Sequence, residues 1–278
     1  MSLINSLSSS VSALKAFTEG LDVIGNNISN IDTTAYKASK TSYSDSFSDT
    51  LQASSNSSGT AAMQVGTGVQ VSGINTDFTQ GTTVETGSVS NLAISGNGYF
   101  VVDDAASGAN YATRDGMFSF NSTGSLVNAQ GYQVLDDAGA AVSVANCKNS
   151  AGTAITYSNA TSVTIDPDGT VTAYDSAGTV YTGQKVGLLG VANQGNLLKR
   201  SNNLYDFSAT GATLAANLGT PGTGSLGQME SGRLEQSNVD LTTQFADMIT
   251  TQRSFEAASR LVTISDTILD DIVNMKRS

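Results

Sequence analysis

Chemistry in this chain would have to rest on carboxylates, Lys, Tyr or Arg, because the sequence contains no histidine and one cysteine, Cys147. Without His, the Ser-His-Asp and Cys-His catalytic pairs and His-ligated zinc sites cannot be built, and one Cys excludes cysteine-rich metal sites. Adjacent carboxylates occur at three places: Asp103-Asp104, Asp136-Asp137 and Asp270-Asp271. Neighbouring side chains in a strand or helix point in different directions, so such pairs cannot flank one substrate. The residues therefore predict no catalytic, cofactor or metal site, and the chain is not expected to be an enzyme.

Two glycine-containing loops have a faint likeness to ligand-binding loops. Residues 166–169, Asp-Pro-Asp-Gly, begin with the rhythm of a calcium loop, but no bidentate Glu follows at the EF-hand position, so we interpret them as a hairpin turn. Residues 219–224 lack the Lys-Ser/Thr ending of a phosphate loop and read as a flexible linker. Cys147 is predicted to be a buried thiol.

Composition narrows the classes of partner. The net charge is −11 and the pI is about 4.2, and phosphate binding needs clustered Lys and Arg, so no nucleic acid is expected. No apolar run approaches the roughly 18 residues that cross a bilayer, so no membrane insertion is expected. The N-terminus has no basic region before its apolar residues, which argues against a cleaved signal peptide.

The N-terminal segment has one apolar stripe with steps of three and four residues, which is typical of an amphipathic helix. The stripe consists of Leu3, Leu7, Val11, Leu14, Phe17, Leu21, Ile24, Ile28 and Ile31. The stripe repeats every seven residues and is narrow, like the seam of a coiled coil. A helix of about 28 residues would span roughly 40 Å, which is too long for a small domain to bury alone. Gly20 and Gly25 each cost about 1 kcal/mol relative to Ala in such a helix.

The C-terminal segment repeats this pattern. Its stripe consists of Leu241, Phe245, Met248, Phe255, Leu261, Val262, Ile268, Leu269, Ile272 and Met275. Asp240 is predicted to cap the helix, Glu256 to pair with Arg260, and the basic residues 276–277 to complement the helix dipole. The two stripes predict that the terminal helices pair with each other and pack against further copies. We expect both segments to be largely disordered in a free monomer.

Short runs bounded by turn residues fill the middle of the chain, which indicates β structure. Strands are predicted at 91–95, 99–102, 111–113, 117–120, 162–165 and 170–174. The predicted fold class is α+β and elongated, with coiled-coil-like terminal helices and a central, mainly β domain. The predicted segments are 1–38 (N-terminal helix and motif), 39–65 (Ser-rich linker or arm), 66–208 (β domain), 209–238 (linker) and 239–278 (C-terminal helix).

Several segments resemble the bacterial flagellar rod and hook protein family. Residues 21–37, LDVIGNNISNIDTTAYK, are similar to the N-terminal motif of that family, with an Ala at position 35 where a Gly is common. Residues 77–87, 92–101 and 111–118 resemble its shared β segments, and residues 232–241 and 248–257 resemble its C-terminal helix motif. The motif residues are Asn26, Asn27, Asn30, Thr33, Tyr36, Lys37, Gln252 and Arg253.

The resemblance implies a tubular homopolymer whose paired terminal helices form the inner layer, with the β domain outside. It also implies export by the flagellar type III apparatus without a cleaved signal, growth under a hook cap, and contacts with neighbouring axial proteins of the rod and the hook-filament junction. The amino-acid sequences of residues 77–87 and of the C-terminus are most similar to those of the hook protein, a flexible coupling that transmits torque. The distal rod protein, a rigid drive shaft, is the alternative because the chain has room for only one outer β domain.

Two readings from other classes stay open at this stage. A surface adhesin or sugar-binding β domain would need a groove with several exposed aromatic side chains. A carboxylate-based polysaccharide lyase or hydrolase would need a cleft and coil-to-coil repeats, and no such repeats are found.

Overall fold

The computed structural model describes residues 2–52, 63–105, 107–211 and 213–275, and these confirm the α+β class. The α-helices are α1 (Ser2–Ser29), α2 (Leu214–Asn217) and α3 (Leu241–Met275). The strands are β1 (Ser39–Asp45), β2 (Ser48–Gln52), β3 (Met63–Gly66), β4 (Val69–Thr76), β5 (Thr83–Glu85), β6 (Leu92–Ser95), β7 (Tyr99–Asp104), β8 (Ala109–Thr113), β9 (Ser119–Phe120), β10 (Leu126–Val127), β11 (Gln133–Val134), β12 (Ala160–Ile165), β13 (Thr170–Asp175), β14 (Val180–Lys185), β15 (Leu188–Leu189), β16 (Leu198–Lys199), β17 (Leu204–Asp206), β18 (Leu218–Gly219), β19 (Gln228–Ser231) and β20 (Arg233–Glu235).

The chain folds into two compact units. The helical unit contains Met1–Ile31, Ala38–Asp77 and Val239–Ser278. The β unit contains Phe78–Asn238 together with the short segment Asp32–Lys37. The predicted linker 209–238 thus contributes α2, β18, β19 and β20 to the β unit, because its Gly, Thr and Ser residues form turns between short paired strands. No helix in the described part of the chain is long and apolar enough to cross a membrane.

In the helical unit α1 and α3 run antiparallel. Asn27 near the end of α1 bonds to Gln244 in the first turn of α3, and Gly20 lies beside Thr251 one register step further on. The side of α3 that is most covered contains Ala258 and Ser265. Small side chains at these positions allow the backbones of the two helices to approach closely.

The structure confirms the predicted cap of α3, whereas the predicted ion pair on this helix is wrong. Asp240 caps the helix: its Oδ1 accepts from the Thr242 N–H at 2.9 Å and its Oδ2 from the Thr243 hydroxyl at 3.0 Å. Glu256 pairs with Arg253 at 3.6 Å and not with Arg260, because an i,i+3 pair is also within reach on a helix surface. Residues 276–277 lie outside the described residues.

The two glycines of α1 differ in their surroundings. A Cβ at Gly20 would collide with the hydroxyl of Tyr43, whose ring also packs edge-on against Phe17 at 6.2 Å. A Cβ at Gly25 would meet nothing within 4 Å. Gly20 is therefore required by a close approach, whereas Gly25 only weakens the helix.

Replacing Gly25 by Ala is expected to raise the thermal stability of the helical unit, by about 0.5–1 kcal/mol, because Ala loses less backbone entropy in a helix. Replacing Gly20 by Ala is expected to yield less than this gain, since its methyl group displaces Tyr43. Thermal unfolding followed by circular dichroism at 222 nm compares the two variants. An equal gain in both would contradict the assigned role of Gly20.

The polar segment after α1 forms antiparallel strand pairs in the helical unit. β1 pairs with β4 with a bulge between Ser42 and Tyr43, and β2 pairs with β3. Exposure alternates along β4 from Val69 to Ile74, so one side of the ladder is covered, and its covered positions include Val69 and Val71. Strands thus occupy parts of the segment 39–65 that the sequence predicts to be a linker or an arm.

The β unit is organised around β7, which is buried on both faces. β7 pairs with β8, β11 and β15 in a sheet with the order β16-β17-β8-β7-β11-β10-β9, to which β18 adds through β15. Phe100 and Val102 point into one hydrophobic cluster and Tyr99 and Val101 into a second one. Two-sided burial explains why residues 99–102 form a continuous apolar run instead of an alternating one.

The predicted strands at 91–95, 111–113, 162–165 and 170–174 and the Asp-Pro-Asp-Gly turn are confirmed, whereas of the predicted strand 117–120 the structure forms β9 at Ser119–Phe120. β12 and β13 form a hairpin in which Gly169 has φ +80° and its N–H donates to the carbonyl of Asp166 at 2.8 Å. Cys147 is fully buried, and burial raises the pKa of its thiol to about 11. Asp136 is buried for a structural reason: its carboxylate accepts from two backbone N–H groups of its own turn and from the Gln184 amide.

Candidate self-assembly site

Asn27 is the buried centre of the N-terminal motif in the helical unit. Its side-chain amide pairs with the peptide of Ser39, with Nδ2 donating to the Ser39 carbonyl at 2.8 Å and Oδ1 accepting from the Ser39 N–H at 2.9 Å. Nδ2 also donates to Oε1 of Gln244 at 3.0 Å. One side chain therefore ties the end of α1 both to the start of β1 and to the first turn of α3.

Replacing Asn27 by Ala is expected to lower the free energy of unfolding of the helical unit by about 2–3 kcal/mol, because three hydrogen bonds are lost in a buried position. Asn26 is the matched control, since its side chain is exposed and its replacement by Ala is expected to cost less than about 1 kcal/mol. Denaturant unfolding followed by far-ultraviolet circular dichroism measures both. Equal losses of stability in the two variants would show that the side chain of Asn27 does not hold α1, β1 and α3 together.

The next motif residues close the helix and the turn after it. The Asn30 side chain donates to the Asn26 carbonyl at 2.9 Å, and the Asn30 N–H donates to the Asn27 carbonyl at 3.2 Å. In the β unit the Tyr36 N–H donates to the Thr33 carbonyl at 3.3 Å. These residues shape the backbone, and they leave Ala35 between them with φ +55° and almost fully buried. A left-handed backbone at this position explains why a Gly is common there in the resembling family.

Lys37 belongs to a fully buried ion cluster in the β unit. Its Nζ contacts Oε1 of Glu235 at 2.5 Å and donates to the Thr79 carbonyl at 2.8 Å. The same Oε1 accepts from the Gly81 N–H at 2.9 Å, and Oε2 accepts from Arg114 at 3.4 Å. The Lys37 and Glu235 side chains are 1% and 0% exposed. Each partner is needed because an isolated charge at this depth would be very costly.

Aromatic rings surround this cluster. The Arg114 guanidinium lies 5.1 Å from the Tyr99 ring centroid, and burial raises the pKa of Tyr99 to about 12. Tyr36 packs under Lys199 Nζ, 4.1 Å from its ring centroid. The sequence reasoning selected Tyr36 and Lys37 but missed Glu235 and Arg114. A signal was present, since Arg114 and Glu235 both lie in segments that resemble the family, 111–118 and 232–241, in a chain with few charges.

The predicted apolar stripes fall into three environments. On α1, Leu7, Leu14, Phe17, Leu21, Ile24 and Ile28 are partly covered, as is Ile31 just beyond its end, whereas Val11 is exposed. On α3, Met248, Phe255 and Val262 are partly covered on the side that also holds Ala258 and Ser265. The remaining predicted stripe residues of α3 are exposed: Leu241, Phe245, Leu261, Ile268, Leu269, Ile272 and Met275.

Gln252 and Arg253, the two C-terminal motif residues, are both exposed on α3. Their part of the helix, between Ile249 and Leu261, carries exposed polar and charged side chains. The structure thus places the motif residues in three different settings: the buried Asn27 clamp, the buried Lys37 cluster, and an open polar stretch of α3. No three Asp, Glu or Cys side chains among the described residues come together in a way that could hold a metal ion.

Three family models match the chain. They are described as flagellar hook protein FlgE/F/G D1 domain (residues 93–173), flagellar basal body rod FlgEFG protein C-terminal (residues 230–275), and flagella basal body rod protein (residues 7–37). The chain is 38% identical to the flagellar basal-body rod protein FlgG of Bacillus subtilis, over 99% of this chain and all of that protein. It is 32% identical to FlgG of Agrobacterium fabrum over 95% of this chain and 96% of that protein.

The chain belongs to the family of bacterial flagellar rod and hook proteins, and it is a structural subunit of the flagellum and not an enzyme. Proteins of this family polymerise and contact neighbouring axial components of the flagellum. The flagellar hook protein FlgE of Treponema pallidum is 42% identical over 113 residues, but this covers 41% of the chain and 24% of that protein. The comparisons therefore favour the alternative, the distal rod, over the hook that the sequence reasoning preferred.

Proposed function

We propose that this chain is a subunit of the distal flagellar rod, where copies polymerise into a rigid tube that transmits rotation. The observation that carries the proposal is full-length similarity: the rod proteins of Bacillus subtilis and Agrobacterium fabrum match at least 95% of the chain and of their own length. A hook subunit is the second candidate, favoured by the higher identity over the shorter shared region. The match in length weighs more, because the hook match covers 41% of this chain and 24% of that protein.

Immunogold labelling of isolated hook-basal bodies tests rod against hook. Gold particles are expected on the rod, within the ring region of the basal body, and labelling of the curved segment beyond it would favour the hook. A strain from which the coding region has been deleted is the control for antibody specificity. The deletion strain is also expected to lack filaments, since a missing axial segment interrupts everything assembled beyond it.

In the proposed tube the terminal helices pair as a coiled-coil-like inner layer, and the β unit lies further out in an elongated subunit. The exposed apolar side chains of α3 support self-assembly, because a helix with many exposed Leu, Ile and Phe side chains is an association surface. Export by the type III apparatus without a cleaved signal, and growth under a cap, are further proposals that rest on the family resemblance.

A sugar-binding role has little support from the β unit. One groove of about 670 Å³ is lined by neutral residues, among them Asn97, Gln194, Asn217 and Ser225. Its described lining holds no aromatic side chain, whereas the adhesin reading needs exposed rings that stack on sugars.

A further inference from the structure

Apart from Leu269 and Val273, the exposed large apolar residues of α3 form two separate faces. Towards the start of the helix they are Leu241, Phe245 and Ile249, spaced by four residues, and we call these the N-face. Towards the end they are Leu261, Ile264, Ile268, Ile272 and Met275, spaced by three and four, and we call these the C-face. Exposed polar and charged residues, including Gln252, Arg253 and Glu256, separate the two faces along the helix.

Neither face points towards α1. The covered side of α3 runs through Gln244, Phe255, Ala258 and Ser265, which follow one row of the helix. With 100° of rotation per residue, Phe245 lies about 120° and Ile268 about 100° from the middle of that row, on opposite sides of it. Phe245 is 48% exposed and Ile268 is 40% exposed. Both faces are therefore available to molecules outside the subunit.

The two faces also lie at different heights and point in different directions. From Phe245 to Ile268 the helix rises by about 34 Å and turns by about 140°. In an assembly of parallel copies, all α3 helices have the same orientation. A neighbour that lies next to the N-face of one α3 therefore contacts it with the opposite side of its own α3, which is rotated by about 180° from its own N-face. The C-face comes within about 40° of that direction, and apolar helix stripes are about 100° wide.

We propose that the N-face of each α3 docks on the C-face of α3 in a second copy of this chain, parallel to the first and shifted along the helix axis by about 34 Å. This rests on the proposed function, and it specifies the contact that links the subunits. Different surfaces meet in it, so the contact is heterologous and each copy keeps a free N-face or C-face for the next one. A two-fold symmetric contact would instead join like faces.

The length of α3 gives a second reason for a partner at its end. Because Asn27 lies beside Gln244 and Gly20 beside Thr251, the start of α1 comes opposite residues near 269 of α3. Ile272, Val273 and Met275 extend beyond that point and are 50%, 58% and 78% exposed. Within the described residues, α1 does not reach far enough to lie opposite them, whereas a neighbouring copy could.

Mixing two single variants tests the proposal. Phe245→Glu disables the N-face and Ile268→Glu disables the C-face, and a carboxylate at an apolar contact is expected to raise the critical concentration for polymerisation about tenfold or more. Each variant alone is expected to stay monomeric in sedimentation velocity, and an equimolar mixture to give dimers, since one intact pair of faces remains. Thr250→Glu and Thr267→Glu are matched controls at similar heights on other sides of α3, and they are expected to polymerise like the unmodified protein.

The outcomes separate the possible arrangements. Polymerisation of either variant at the unmodified critical concentration, dimers of one variant alone, or monomers in the mixture would each overturn the N-face to C-face contact. Failure of the unmodified protein to form tubes under any condition would instead count against the proposed function. Circular dichroism checks that each variant keeps the monomer fold.

Disulfide trapping gives an independent reading that does not depend on weakened contacts. Copolymers of Phe245→Cys and Ile268→Cys subunits are expected to give covalent dimers on mild oxidation, whereas either variant by itself gives none. A chain with both substitutions is expected to give a ladder of higher oligomers. The native thiol of Cys147 is fully buried and does not compete. Dimers from either single variant would show that like faces meet and would overturn the proposal.

Discussion

Replacing Glu235 by Gln is expected to lower the free energy of unfolding of the β unit by about 3–5 kcal/mol, because it leaves two buried cations without their shared carboxylate. Glu235 accepts from Lys37, Arg114 and the Gly81 N–H while its side chain is 0% exposed. Gln has nearly the same volume, so no cavity contributes to the loss. Denaturant unfolding followed by tyrosine fluorescence measures it, since the chain has nine Tyr and no Trp.

Two further variants make this expectation specific. Glu230→Gln changes a half-exposed carboxylate that pairs with Arg233 at 3.3 Å, and it is expected to cost less than about 1 kcal/mol. Lys37→Met is expected to cost less than Glu235→Gln, because Arg114 and Glu235 then remain as a balanced pair. A Lys37→Met variant that is less stable than Glu235→Gln would show that charge balance is not what holds the cluster together.

Local sequence patterns were sufficient to predict the two long helices and the buried strand at the centre of the β unit. The stripes of α1 and α3, the cap at Asp240, and the run at residues 99–102 each carry a local signal that follows directly from helix or strand geometry. The strand β1 was not predicted because it consists mainly of polar residues, and β4 was not predicted although Val69 and Val71 alternate along it. Their coverage comes from packing in the helical unit, which no short window of the sequence reveals.

The candidate site was predictable only in part, for a similar reason. The resemblance identified Asn27 and Lys37, but a motif does not state which distant residue completes each contact. Gln244 and Glu235 are each separated from their partners by most of the chain. The hook was preferred because of the amino-acid sequences of short segments, whereas similarity over the whole length favours the rod.

The N-terminal motif explains how a segment next to a helix can belong to a different folding unit. Hydrogen bonds, an ion pair and a cation–π contact hold Asp32–Lys37 in the β unit. The Ala35 N–H donates to the Glu235 carbonyl at 2.9 Å, the Thr34 hydroxyl donates to Asp115 at 3.0 Å, and the Asn203 amide donates to the Thr34 carbonyl at 2.8 Å. The ion pair of Lys37 and the packing of Tyr36 under Lys199 complete them.

Two truncations that differ by these six residues are therefore expected to behave very differently. A chain without residues 1–31 loses no residue of the β unit, and its β unit is expected to keep its free energy of unfolding within about 1 kcal/mol. A chain without residues 1–37 is expected to lose more than about 3 kcal/mol, because Glu235 loses its closest cation and the buried Ala35 and Tyr36 leave a gap. Near-ultraviolet circular dichroism during denaturant unfolding reports on the Tyr side chains of the β unit.

Neither truncated chain is expected to polymerise, because both lack α1. Comparing the two chains therefore tests the stability of the β unit independently of assembly. Equal stability of the two β units would show that Asp32–Lys37 does not contribute to the stability of the β unit. A peptide covering residues 31–38, added to the chain without residues 1–37, is expected to restore part of the lost stability in proportion to its concentration, since it binds the folded β unit alone. The same peptide with Lys37 replaced by Met is expected to restore less, because it lacks the cation that Glu235 requires.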